Sequence, residues 1–347
     1  MKAYVLHGIN DIRFEEIEKP HIKENEVLVK VKAAGVCGSD IPRIYTTGTY
    51  SYPLIPGHEF SGLVEEVGGE DGKEWLGKRV GVFPLIPCGE CAPCRKKQYE
   101  MCRHYNYLGS RCDGGFAEYV AVPVWNLIEL PGGVAFEEAA MLEPMAVAVH
   151  AIRQMNLKGH ETVAVIGLGT IGILLTMFLK EMGIKKILTV GNKDFQKEMV
   201  SKQGIPVGDY CDSRQCQVDE WLLNAAGEKG IDVIFECVGK RETITQAIEN
   251  VTPGGGVQLV GNPASDILLE RNVYWKILRN QLTVKGSWNS SFIHDAGDDW
   301  HYVLEKLAQK RVHPGQYITQ KFPFEQLEEG FHIMRDKSQE YVKIEAF

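Results

Sequence analysis

Residues 162–172, Thr-Val-Ala-Val-Ile-Gly-Leu-Gly-Thr-Ile-Gly, constrain this chain more than any other stretch. An apolar, β-branched run ends in Gly167, Gly169 and Gly172, and the apolar spacing that follows (Ile173, Leu174, Met177, Phe178) is helical. The order is strand, tight turn, helix, and each glycine has its own task in it. Gly167 turns the chain, Gly169 lets a pyrophosphate approach the backbone, and Gly172 lets the helix pack on the strand. The free N–H groups of the first turn, at Thr170 and Ile171, then face the anion. A lone G-x-G-x-x-G is weak evidence; between a strand and a helix it has the context that dinucleotide binding needs. The alternative is an ordinary strand–turn–helix.

Strand and helix patterns alternate across 149–285, with strand-like runs at 163–166, 186–190, 232–235, 257–260 and 282–286. Such alternation predicts a parallel, doubly wound α/β sheet. A chain of 347 residues suggests two domains. The expected division is a cofactor domain, 149–285, inserted into a first domain formed by 1–148 and 286–347, with the active site in the cleft between them. Residues 1 to about 35 alternate as strands with turn signals at Gly8-Ile9-Asn10-Asp11 and Lys19-Pro20, which suits a loop-rich antiparallel sheet.

The end of the second strand of the cofactor domain bears on coenzyme choice. NAD-binding chains place Asp or Glu about 20 residues after the glycines, on the ribose 2′-hydroxyl. Here Val190 is followed by Gly191, Asn192 and Lys193. The missing carboxylate removes repulsion against a 2′-phosphate, and Lys193 attracts one, so the reading favours NADP(H) over NAD(H). Asp194 acting from a shifted turn would keep NAD(H).

The formal net charge is −8 and no basic run offsets it, which argues against a nucleic-acid partner. No apolar run is long enough to span a bilayer, and Met1-Lys2-Ala3-Tyr4-Val5 reads as a strand rather than a signal peptide. The expectation is a cytoplasmic protein. Crowding among the nine cysteines then suggests metal binding more than disulfides. Cys88, Cys91, Cys94 and Cys102 have C-x2-C-x2-C-x7-C spacing, with Gly89 and Pro93 setting the turns. Four thiolates can close a tetrahedron around a structural zinc. An iron–sulfur cluster and a nucleic-acid zinc ribbon are the alternatives. Cys112, Cys211, Cys216 and Cys237 have no matching partners and read as buried or incidental thiols.

A second group is spread through the first domain. Cys37 lies in Gly35-Val36-Cys37-Gly38-Ser39-Asp40, His58 in Gly57-His58-Glu59, and Glu143 before Pro144. Alone, each is ordinary. Together they offer one thiolate, one imidazole and one carboxylate, which with water make the open site of a catalytic zinc. Pro144 is expected to hold Glu143 out of the helical region.

These motifs, with Gly114-Gly115-Phe116-Ala117-Glu118-Tyr119 and 232–239, resemble the zinc-containing medium-chain alcohol dehydrogenases, and within them the polyol dehydrogenases. The resemblance covers the whole length. It implies a Rossmann sheet plus a mainly antiparallel, GroES-like catalytic domain. It also implies a catalytic zinc on Cys37, His58 and Glu143 with Glu59 beside it, a second zinc in the 88–102 lobe, and a homo-oligomer, dimer or tetramer. Ser39 matches the hydroxyl that takes the substrate proton. Pro42 and Arg43 stand where many relatives continue the relay with a histidine.

The implied reaction is hydride transfer between a secondary alcohol and a nicotinamide coenzyme. The stretches 37–44, 84–88, 108–111 and 286–288 resemble the polyol-phosphate members of the family, and that resemblance implies galactitol 1-phosphate as the expected substrate. Arg43 and Arg111, with Tyr45, Tyr50 and Tyr52, are the candidate contacts. Lys343 reads as a surface residue. The alternatives are the same chemistry on a sorbitol, threonine or butanediol type of alcohol, and a non-enzymatic zinc-ribbon ligand sensor.

Overall fold

A computed structural model describes residues 1–347, which divide into two compact units. One comprises Met1–Glu143 with Ser291–Phe347, the other Pro144–Ser290. The first unit contains β1 (Lys2–Gly8), β2 (Asp11–Glu16), β3 (Glu26–Val36), β4 (Glu59–Val67), β5 (Arg79–Val82), β6 (Leu85–Ile86), β7 (Asn106–Tyr107), β8 (Tyr119–Pro123) and β9 (Leu127–Glu129). The chain returns to it with β16 (Ile318–Phe322) and β17 (Lys343–Ala346).

Its main sheet runs β16-β17-β3-β4-β5-β9, with β8 also on β3. Every pairing is antiparallel except β16 with β17. β3 is the spine. Val27, Leu28 and Val29 are all buried, as are Ala33 and Ala34, so this strand is covered on both faces rather than on alternate residues. Helix Phe136–Ala140 packs on β3, β4 and β5, and Tyr4 meets Phe14, Phe324 and Phe331 in an aromatic cluster.

Two pairings place the functional end of this sheet. Gly35 of β3 lies opposite Glu59 of β4, and Val36 lies opposite Ile344 of β17. Cys37 follows the end of β3 and His58 precedes β4, so the antiparallel register brings them to one edge with no further device.

The second unit holds β10 (Thr162–Ile166), β11 (Lys186–Gly191), β12 (Tyr210–Asp212), β13 (Ile231–Glu236), β14 (Val251–Leu259) and β15 (Thr283–Gly286). All are parallel, in the order β12-β11-β10-β13-β14-β15. This is the doubly wound order whose ligands sit at the carboxyl ends of the strands. Three-residue β12 is too short to leave a periodic trace in the sequence. β14 starts at Val251 rather than near Val257, because Gly254, Gly255 and Gly256 hide a strand from a β-branched count.

Gly167 has φ +96°, and a Cβ at Gly172 would stand 1.9 Å from the Gly167 carbonyl oxygen, so both positions need glycine. Cys211 and Cys216 form a disulfide, which corrects their reading as unpaired thiols. Cys112 and Cys237 are free. No helix is long and apolar enough to cross a membrane.

Candidate active site

At the edge set by the β3–β4 register, Cys37 Sγ, an imidazole nitrogen of His58 and a carboxylate oxygen of Glu59 lie within 4.8 Å of one another. Asp40 opens the short helix Asp40–Tyr45 and is fully buried behind them. One of its oxygens accepts the Cys37 N–H at 3.0 Å; the other stands 3.3 Å from His58 Nδ1. Ser39 Oγ donates to Cys37 Sγ at 3.3 Å, and Arg43 Nη1 donates to both Ser39 Oγ and Asp40 Oδ1 at 3.1 Å.

Electrostatics prepare this group for a cation. Burial alone would lower the His58 pKa, but the charges of Asp40 and Cys37 outweigh it and push it up to about 10. Burial alone would raise the Cys37 thiol, yet the neighbouring imidazole brings it below its ordinary value. Asp40 is likewise held low by His58 against burial. In the absence of a metal these acid groups hold a proton on His58; a thiolate, an imidazole and a carboxylate in one close group are a donor set that a divalent ion satisfies.

Glu143 stands apart from the close group. It is the second residue of helix Leu142–Gln154, which corrects the expectation that Pro144 keeps it non-helical. Pro144 sits in the first turn, where its missing N–H would have no intrahelical partner. Glu143 is buried, burial raises its pKa, and Oε1 accepts a hydrogen bond from Tyr107 Oη at 3.3 Å. The Tyr107 ring lies 5.7 Å from that of His58.

Lys343 is the residue that the sequence misplaced. It is 1 % exposed, not on the surface; its ammonium pairs with Glu59 and donates to the Val36 carbonyl at 3.0 Å. It reaches β4 from β17 by crossing β3 at Gly35. A Cβ there would stand 2.6 Å from Glu59 Oε2 and 2.7 Å from Lys343 Cε. A lysine in an apolar C-terminal run, Tyr-Val-Lys-Ile-Glu-Ala-Phe, was the available signal.

The four lobe cysteines also converge, all within 4.8 Å, with Sγ separations of 3.4, 3.8 and 3.9 Å between three of the pairs. A tetrahedron with zinc–sulfur bonds of about 2.3 Å has edges near 3.8 Å, so the donors fit a zinc ion. The Arg103 and Cys94 backbone N–H groups point at Cys91 and lower its thiol to about 6.

Of the candidate substrate contacts, Arg43 is turned inward as described. Arg111 lies between Tyr50 and Tyr105, 4.1 and 4.5 Å from their rings, and donates to Tyr50 Oη at 3.1 Å. Tyr105 in turn meets Tyr107 at 6.2 Å, so aromatic contacts run from the Glu143 carboxylate out to Arg111. Tyr45 packs under Arg335, and Tyr52 accepts the Thr49 N–H.

In the second unit a Cβ on Gly169 would meet nothing within 4 Å, so the turn before helix Thr170–Glu181 faces open space, as a pyrophosphate cradle must. Past β11, Gln196 Oε1 accepts the N–H groups of Asn192 and Lys193, and its Nε2 donates to the Leu168 carbonyl. That amide ties the glycine turn to the end of β11. Sequence reasoning missed it, although a Gln three residues past a helix cap is half of a capping box. Asp194 is the first residue of helix Asp194–Lys202 and pairs with Arg214.

Residues 23–132 match the family model described as alcohol dehydrogenase GroES-like domain, and residues 170–309 that described as zinc-binding dehydrogenase. The chain belongs to the zinc-binding medium-chain alcohol dehydrogenases. Galactitol 1-phosphate 5-dehydrogenase of Escherichia coli K12 is 32 % identical over 94 % of both chains. A crystal structure of galactitol-1-phosphate dehydrogenase from Escherichia coli superposes with TM-score 0.91 at 31 % identity, covering 100 % of this chain and 99 % of that one. Sorbitol dehydrogenase of Bacillus subtilis is 28 % identical over 100 % of this chain and 97 % of that protein. A zinc-binding dehydrogenase from Sinorhizobium meliloti, solved with NADP, matches with TM-score 0.90 at 26 % identity, covering 100 % and 98 %. Two units, one with the GroES-like sheet and one with the Rossmann sheet, are the fold of this dehydrogenase family.

Proposed function

We propose that the chain interconverts a secondary alcohol of a polyol or polyol phosphate and the ketose, with galactitol 1-phosphate as substrate and NADP(H) as coenzyme. The observation that carries the reading is the convergence of Cys37, His58 and Glu59 over buried Asp40. A zinc-ribbon ligand sensor has no use for that second group of donors. Cys37 and His58 would hold the catalytic zinc, and Glu59 and Glu143 are the carboxylates that complete its protein contacts. When bound, zinc supplies Lewis acidity toward the alcohol oxygen and the nicotinamide takes the hydride. Cys88, Cys91, Cys94 and Cys102 would hold a structural zinc.

The chain's own part is alignment and proton handling. Ser39 takes the alcohol proton. Ser39 Oγ accepts from Arg43 and donates to Cys37 Sγ, which leaves one lone pair to receive the proton. A guanidinium stays charged at every working pH, and Pro42 carries no titratable group, so the proton does not leave through positions 42 or 43. Asp40 holds the His58 ring against the Cys37 backbone, the orienting role that a carboxylate plays behind a ligating histidine.

NADP(H) is favoured because β11 ends at Gly191 and the next two N–H groups are bonded to neutral Gln196 rather than to an acid. A phosphorylated substrate is favoured by Arg111, half-buried on a platform of tyrosines. The inward pairing of Arg43 favours a second reading, an unphosphorylated polyol. Initial rates with galactitol 1-phosphate, galactitol, sorbitol and threonine, each with NAD and NADP, test both choices. The account expects the highest kcat/KM with the phosphorylated polyol and NADP. A preference for NAD or for sorbitol would discard the corresponding half.

We also read the chain as a homodimer. β15 ends the parallel sheet with all four residues exposed, and Tyr274, Trp275 and Leu278 of the neighbouring helix are exposed with it. An unpaired apolar edge of this kind is normally covered. Sedimentation equilibrium should give twice the chain mass; a monomer at micromolar concentration would contradict this.

A further inference from the structure

The carboxyl end of β11 carries a charged arrangement that the glycine fingerprint does not account for. Ser213 N–H donates to the Gly191 carbonyl at 2.9 Å, so the turn after β12 sits directly beside the residue where this fold places the adenosine ribose. That turn is stiff. Asp212 O accepts from Gln215 and Cys216, and the Cys211–Cys216 disulfide closes it.

Arg214 projects from the turn and is held by a fork. Its Nε lies 2.9 and 3.1 Å from the two Asp212 oxygens and its Nη2 2.5 Å from Oδ2, while the Arg214 N–H binds Asp212 Oδ1 at 3.0 Å. The same Nη2 also bonds Asp194. The two aspartates differ. The Asp212 side chain is 12 % exposed and locked in place, whereas that of Asp194 is 84 % exposed on the first turn of its helix. The guanidinium is therefore fixed from behind by one largely buried carboxylate and covered in front by an exposed one.

A phosphate monoester carries about −1.5 to −2 charges and three acceptor oxygens, against one charge on an exposed carboxylate. We propose that Arg214 is a further specificity residue for the coenzyme, binding the ribose 2′-phosphate in the place that Asp194 occupies on its guanidinium. Asp194 then works against the phosphorylated coenzyme by competing for Arg214, and Asp212 acts as a positioning residue. The inference rests on the NADP(H) reading above.

The test is calorimetric binding of adenosine 2′,5′-bisphosphate and of adenosine 5′-monophosphate to the zinc-loaded full chain, without turnover. Arg214 is half exposed and its loss removes no core contact. The wild type should bind the bisphosphate more tightly than the monophosphate. Arg214→Ala should weaken the bisphosphate on the order of tenfold, the equivalent of one charge-assisted hydrogen bond, and leave the monophosphate unchanged. Asp194→Asn should tighten the bisphosphate alone. If the wild type favours the bisphosphate and Arg214→Ala leaves it unaltered, or weakens both nucleotides equally, the role of Arg214 is overturned while the NADP(H) reading stands. If the wild type shows no preference for the bisphosphate, the NADP(H) reading fails and takes this inference with it.

Discussion

Cys37→Ser is expected to abolish turnover and to lower the zinc content from two ions per chain to one. A serine hydroxyl stays neutral where a thiolate is charged, and it is a poor zinc donor. The loss in kcat should exceed the roughly 10–100-fold that removal of an outer partner of a metal ligand brings. The fold should survive, because Cys37 lies just beyond β3 and its Sγ contacts only site residues, Ser39 and His58. The lobe zinc should survive too, since Cys88, Cys91, Cys94 and Cys102 form a separate group. Metal analysis, circular dichroism and initial rates together check the outcome. Near-normal activity in this variant, or loss of both ions, would refute the assignment of Cys37.

The second large effect is on stability. In the zinc-free chain, Lys343→Met leaves the Glu59 carboxylate buried with no cation beside it. Removing one partner of a buried ion pair typically destabilises by about 3–5 kcal/mol. Glu345, two residues on in the same strand, adds to this. Both of its oxygens are buried without a hydrogen bond, burial already raises its pKa to about 8, and Lys343 does more than Lys321 to favour its charged form. Urea unfolding should show the loss, and Glu59→Gln placed on the Lys343→Met background should recover much of it, because the uncompensated charge is then gone. Gly35→Ala should disturb the same pair from the strand between, through the close approach already described. A change below about 1 kcal/mol in Lys343→Met would mean that the pair is not the buried contact argued here.

Legibility followed the physics of each signal. The glycine turn and the cysteine lobe are local: their geometry depends on residues a few positions apart, so spacing alone carries it. The parallel sheet was readable where strands are β-branched, and was lost at β12, which is three residues long, and at the glycine-rich start of β14. Non-local pairing was not readable. Nothing near Lys343 says that β17 lies beside β3, so a lysine in a terminal segment reads as surface until the sheet order lets it reach Glu59 across Gly35. The same holds for Tyr107 under Glu143 and for Cys211 with Cys216, whose pairing depends on how one turn folds. Glu143 shows the converse error: a rule about the residue before proline gave way to a helix that places its proline in the first turn, where no N–H is needed.

The most direct test of the central claim is zinc removal and return in the wild-type chain. Mild chelation should strip the open site held by Cys37 and His58 before the closed four-cysteine lobe, and coenzyme reduction should fall to background with the first ion lost. Returning one equivalent of zinc should restore the rate in proportion to occupancy. Full activity in protein that retains only the lobe ion would contradict the account.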